Sequence, residues 1–124
     1  MENVIIEKTT DTPFVVLDAK QRLLEIGGNS YPENALEFYQ PVFDWLHRYF
    51  QNGNTALSAA FKLNYFNTSS AKCIMNIMSI LQQYFSQHHD IAIIWYYDQD
   101  DEDMLETGKA FSVDFSMPFT LMSY

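Results

Sequence analysis

The chain has 124 residues, 48% of them hydrophobic and 16% aromatic, which is one domain (1–124) with ample material for a core. Sixteen acids against seven Lys and Arg give a formal net charge of −9. That excludes the basic footprint nucleic acid demands and any attraction to an anionic membrane surface. A single cysteine, Cys73, excludes an internal disulfide and suits a reducing compartment. No apolar run approaches the ~20 residues of a membrane helix, and the acidic start Met1-Glu2-Asn3 does not read as a signal peptide. A cytoplasmic protein without membrane insertion is expected.

Val4-Ile5-Ile6 reads as a short strand. Phe14–Leu17 and Leu23–Ile26 read as a hairpin turned by Asp18-Ala19-Lys20-Gln21, and Gly27-Gly28-Asn29 ends the second arm. Ser30 with Glu33 three residues on has the form of a capping box, with Pro32 in the first turn. Ala35, Phe38, Val42, Trp45, Leu46 and Tyr49 then share one helical face. Pro41 lies within that pattern and is expected to kink the helix or divide it, because proline removes a backbone donor. After Asn52-Gly53-Asn54, the stretch from Thr55 to Phe66 alternates, with Leu57, Ala59, Phe61, Leu63 and Tyr65 on one side.

Asn67-Thr68-Ser69-Ser70 opens a second helix that carries Ile74, Ile77, Met78, Leu81 and Phe85 on one face. Ile91–Tyr97 is a continuous apolar run, the pattern of a central strand covered on both faces. An acidic stretch leads into a third helix with Met104, Leu105 and Ala110, and Met117–Met122 closes as an edge strand marked by Pro118. The order β-β-β-α-β-α-β-α-β predicts an α/β domain. It should have one mixed sheet of five to six strands, with parallel pairing after the hairpin and three main helices packed on it.

Two segments hold candidate chemistry. Thr68, Ser69 and Ser70 place three hydroxyls at a helix start, where amides are unpaired and the dipole favours negative charge. One reading is a simple cap; the other is phosphoryl acceptance, with Lys72 one turn on to offset the added charge. The second segment, Asp98 to Glu106, holds six carboxylates in nine residues. Counted from Asp98, the sixth and twelfth positions are Asp103 and Lys109, so the calcium-loop template, Gly at six and Glu at twelve, fails. What remains is a dipole-matched first helical turn or an acidic docking surface, with a small metal-dependent enzyme or binder as the alternative. His47, His88, His89 and Cys73 make no metal pattern, and no nucleophile elbow or phosphate cradle appears. No cofactor, metal or catalytic residue is therefore assigned. The two segments follow successive strands, so parallel pairing would put both on one rim of the sheet, where partners of open α/β sheets bind.

The blocks Thr12-Pro13, Ser30-Tyr31-Pro32-Glu33-Asn34-Ala35, Phe38-Tyr39-Gln40-Pro41, Tyr65-Phe66-Asn67-Thr68-Ser69-Ser70 and Trp95-Tyr96-Tyr97 with Asp100-Asp101-Glu102-Asp103-Met104-Leu105 occur in this order over nearly the whole chain. In them the chain resembles the SiaC-type regulatory phosphoproteins of bacterial partner-switching systems. The resemblance implies a non-enzymatic switch with a fold broadly like anti-sigma-factor-antagonist domains. It implies Thr68, ahead of Ser69 and Ser70, as phosphoacceptor, written by a protein kinase and erased by a metal-dependent phosphatase. It also implies that the unphosphorylated form activates a diguanylate cyclase, raising cyclic di-GMP and favouring biofilm. The expected partner surface comprises Asn67, Thr68, Ser69, Lys72, Asp100, Asp101, Glu102 and Asp103. The chain departs from the family at Asn29, where a basic residue is frequent.

Overall fold

The switches between a period of two and a period of 3.6 divide the chain into nine elements. In the computed structural model, which describes all 124 residues, these are β1 (Val4–Ile6), β2 (Phe14–Asp18), β3 (Leu23–Ser30), α1 (Ala35–Gln51), β4 (Ala56–Phe66), α2 (Thr68–Phe85), β5 (Asp90–Tyr97), α3 (Glu102–Ser112) and β6 (Phe119–Ser123). They build one six-stranded mixed sheet whose spatial order equals the chain order, β1-β2-β3-β4-β5-β6. The first three strands pair antiparallel; β3 through β6 pair parallel across the three helices. The predicted element order and α/β class are those observed.

Because each crossover steps the same way along the sheet, right-handed connections lay all three helices on one face. Burial follows. Val15, Leu17, Leu24, Ile26, Ala59, Phe61, Ile93 and Trp95 are completely buried beneath the helices. On α1 and α2 the residues Tyr39, Val42, Trp45, Leu46, Tyr49, Ile74, Ile77, Met78 and Leu81 complete the core. The residues between them on the strands, Val16, Leu23, Ala92, Ile94 and Tyr96, are only half-buried and lie outside that core. The run Ile91–Tyr97 is therefore covered on one face, not on both as its unbroken apolar character suggests.

Three further expectations change at the level of single residues. Asn34, not Ser30, caps α1: its Oδ1 accepts the Glu37 amide at 3.1 Å, and the Glu37 carboxylate accepts from the Asn34 amide group. The Ser-x-x-Glu spacing at Ser30 is repeated as Asn-x-x-Glu four residues later, and only the second matches the helix start. Pro41 does not divide α1, which continues to Gln51. Glu37 and Pro41 are both exposed, so the Glu37 carbonyl that loses its partner can bond water instead. Tyr65 leaves the buried side of β4. Pairing with β3 shifts between Gly28 and Asn29 so that Asn64 has no partner, and this bulge reverses the alternation. Tyr65 turns outward, and Phe66 packs edge-on against Trp95.

The contact of α3 with the sheet depends on a missing side chain. Gly108 is buried against the Trp95 indole and Leu121, and the Trp95 Nε1–H donates to the Met104 carbonyl at 3.1 Å. A methyl at position 108 would overlap the indole and come within 2.8 Å of the Leu121 side chain. Gly108→Ala is therefore expected to cost about 1–3 kcal/mol by overpacking, outweighing the ~1 kcal/mol that Ala gains over Gly in a helix. Urea denaturation should give a lower midpoint at unchanged slope.

Candidate functional site

The site is built where β3 and β4 end and α2 begins. Ser30, the last residue of β3, is completely buried. Its Oγ lies 2.7 Å from the Tyr39 hydroxyl on α1 and donates to Ser70 Oγ on α2 at 2.8 Å. The Asn67 amide donates to the Ser30 carbonyl at 3.1 Å. Three elements are thus tied together at the N-terminus of α2. Burial raises the Tyr39 phenol from 10.0 to about 12, against the Ser30 hydrogen bond, which lowers it, and the nearby Cys73, which raises it further.

Within Asn67-Thr68-Ser69-Ser70 the roles separate. Asn67 caps α2, its Oδ1 accepting the Ser70 amide at 2.9 Å. Ser70 is completely buried in the hydroxyl network, with its Oγ accepting from Ser30. Thr68 and Ser69 are exposed in the first turn, and neither hydroxyl is held by a side-chain hydrogen bond, so both stand free. Lys72, also exposed, follows Thr68 by one turn. A negative group added at Thr68 meets the positive end of the helix dipole and leaves the cap intact.

The acidic run lies on the same rim, since β4 and β5 are adjacent and parallel. Asp98, Asp100, Asp101, Glu102 and Asp103 line an open depression together with Asn64, the bulge residue of β4. Asp101 caps α3 by accepting the Met104 amide at 3.0 Å, and Asp98 accepts the Asp100 amide at 2.8 Å. No three acidic, His or Cys side chains converge as a metal-ligating group, so two of these carboxylates serve the backbone and the others face solvent. Sequence reasoning missed Tyr31 and Tyr65, which pack edge to face at 5.7 Å between centroids. They stand 38% and 54% exposed at the same ends of β3 and β4. The bulge turns Tyr65 outward, and nothing in the local sequence marks it. Asn29, the departure from the family pattern, pairs with Tyr65 at this bulge.

Residues 6–124 match the family described as SiaC family regulatory phosphoprotein. The chain belongs to the SiaC family. A relative from Pseudomonas aeruginosa (strain UCBPP-PA14), described only as an uncharacterized protein, is 32% identical over 124 residues, covering 100% of this chain and 98% of the relative. SiaC of Pseudomonas aeruginosa is a close structural match, with TM-score 0.93 at 31% identity and both chains fully covered. So is SiaC in a crystal structure of the diguanylate cyclase SiaD in complex with its activator SiaC, from the same organism, with TM-score 0.94, 32% identity and 98% and 99% of the two chains covered. SiaC family membership and the α/β fold with one six-stranded sheet agree with the expectations from sequence. No helix is long and apolar enough to cross a membrane.

The buried phenol makes a test of this region through pH. The folded pKa of Tyr39 is raised above the unfolded value, so its contribution is fully present below pH 10 and is lost as pH rises through about 12. At ~1.4 kcal/mol per unit the loss amounts to about 3 kcal/mol. Measured from about pH 8 to 12, the urea midpoint of wild type should fall relative to that of Tyr39→Phe, which has no proton to lose at position 39.

Proposed function

We propose that this chain is a non-enzymatic, cytoplasmic switch protein whose binding to a diguanylate cyclase is controlled by phosphorylation of Thr68. A protein kinase transfers the phosphoryl group to the Thr68 hydroxyl, a metal-dependent phosphatase removes it, and the unphosphorylated form binds and activates the cyclase. The observation that carries this reading is the free, exposed Thr68 hydroxyl on the first turn of α2, held in place by the Asn67 cap and the buried Ser70. It occurs in a member of a regulatory phosphoprotein family, one of whose solved relatives is the activator in a cyclase complex.

The rim supplies the means of switching. A phosphate adds a charge of about −1.5 to −2. It would be added on the rim that also carries five carboxylates of the β5–α3 connection and the first turn of α3, with Lys72 as the nearby cation in sequence. The partner surface assigned to Asn67, Thr68, Ser69, Lys72 and Asp100–Asp103 would change its potential while its shape stayed the same. The test is labelling by the cognate kinase with phosphopeptide mapping. Wild type should carry one phosphate at Thr68, and Thr68→Ala should stay unlabelled. Labelling of Thr68→Ala at the wild-type rate would move the acceptor to Ser69 and overturn the assignment.

A further inference from the structure

The face of the sheet opposite the helices is an apolar surface that the switch site leaves unused. Strand register places Ile5, Val16, Glu25, Ala60, Ile94 and Thr120 in one rung across all six strands. The flanking rungs add Leu23, Ala92, Phe14, Tyr96 and Met122. Ile5 is 73% exposed and Met122 43%. Leu23, Glu25, Ala60, Lys62, Ile94 and Tyr96 border a shallow depression at its middle.

Charge is sparse here. Of 23 charged residues in the chain, the strands place Asp18, Glu25, Lys62 and Asp90 on this face, with Asp18 and Asp90 at its margin. Glu25 and Lys62 lie at the centre on adjacent strands, Glu25 opposite Ala60 and Lys62 two residues farther along. They form no ion pair with each other; the Lys62 ammonium instead lies 4.4 Å from the Tyr124 ring centroid.

We propose that this face is a homodimer interface in which Lys62 of each copy meets Glu25 of the other. A basic partner would be drawn to the acidic rim, where the carboxylates are concentrated. The open face instead offers apolar rungs and one central charge of each sign. A two-fold axis lying in the interface, between Glu25 and Lys62 and perpendicular to the line joining them, exchanges the two positions. With strands ~4.8 Å apart and ~3.3 Å per residue, that axis crosses the two sheets at about 70°, nearer the orthogonal class of sheet packing than the aligned one. The same spacings give a plane of about 25 by 20 Å. That is about 500 Å² per partner, the low end of interface sizes and the range of weak, reversible association. The proposal does not depend on Thr68, which lies beyond the end of β4 at the rim.

The experiment is sedimentation velocity of the unphosphorylated chain across a concentration series, with circular dichroism to confirm that each variant is folded. Wild type should pass from monomer to dimer with a Kd on the order of 10 µM, as suits an interface of modest area. Ile94→Arg should be monomeric throughout. Glu25→Lys and Lys62→Glu should each weaken the dimer at least tenfold, since symmetry makes every reversal act twice, and the double reversal should restore it. Thr68→Ala should dimerise as wild type does. A wild-type monomer at the highest concentration overturns the proposal, as does a dimer indifferent to Ile94→Arg or a double reversal that fails to restore association. If the chain alone is monomeric and Ile94→Arg weakens the cyclase complex, the face belongs to the cyclase.

Discussion

Stoichiometric phosphorylation of Thr68 is expected to weaken the complex with the cyclase tenfold or more. The modification puts up to two negative charges on a rim that already carries the Asp98–Asp103 carboxylates. A partner that packs against the neutral Thr68 hydroxyl in the unphosphorylated state would have to bury an anion with no cation placed to receive it, and desolvating an unpaired charge at an interface costs several kcal/mol. Since ~1.4 kcal/mol is a factor of ten, a loss of about 1.5–3 kcal/mol is a conservative range. Titration calorimetry of the cyclase with kinase-treated and untreated chain measures it directly. Thr68→Glu, with one charge in place of nearly two, should give a partial, several-fold loss. An affinity unchanged by full phosphorylation would remove electrostatics as the switching mechanism.

Ser30→Ala is expected to destabilise the fold by about 2–4 kcal/mol, a large loss for one oxygen atom. That oxygen serves two buried hydroxyls, Tyr39 on α1 and Ser70 on α2. Removing it leaves both underpartnered, and each unsatisfied buried polar group costs about 1–3 kcal/mol. The cost should fall when the second partner is also removed, so Ser30→Ala with Tyr39→Phe should be less destabilised than the two single changes added together. Chemical denaturation of the four chains closes the cycle; strict additivity would show that the three hydroxyls do not act as a unit. The N-terminus of α2 is the element such a loss loosens, so labelling of Thr68 by the kinase is a second readout.

Which features were legible in the sequence follows from the range over which each is determined. The nine elements were readable because the spacing of apolar residues switches between two and 3.6 within each segment. Asn67-Thr68-Ser69-Ser70 was readable as a helix start for the same local reason, and family resemblance singled out Thr68. At Ser30 the local signal misleads, because Ser-x-x-Glu describes a cap equally well wherever it falls. Its actual partner, Ser70, lies 40 residues away and meets it only once β3 and β4 are paired. Alternation places Tyr65 on the wrong face because it counts residues, and the extra one at Asn64 is defined by the opposing strand. Likewise, Ile91–Tyr97 does not record how many faces are covered. That depends on the direction in which successive crossovers step.

The agreement between strand order and chain order has a kinetic consequence. Every strand pairs with the one before it, either through a turn or across one helix. No strand has to be inserted between two already joined, so the sheet can grow at one edge as the chain leaves the ribosome. Contacts short in sequence close with little loop entropy and favour rapid folding. In that sequence of events α2 and Thr68 can dock before α3 and β6 have emerged, while the acidic loop that shares their rim arrives later. A nascent chain would then present the threonine ahead of the carboxylates.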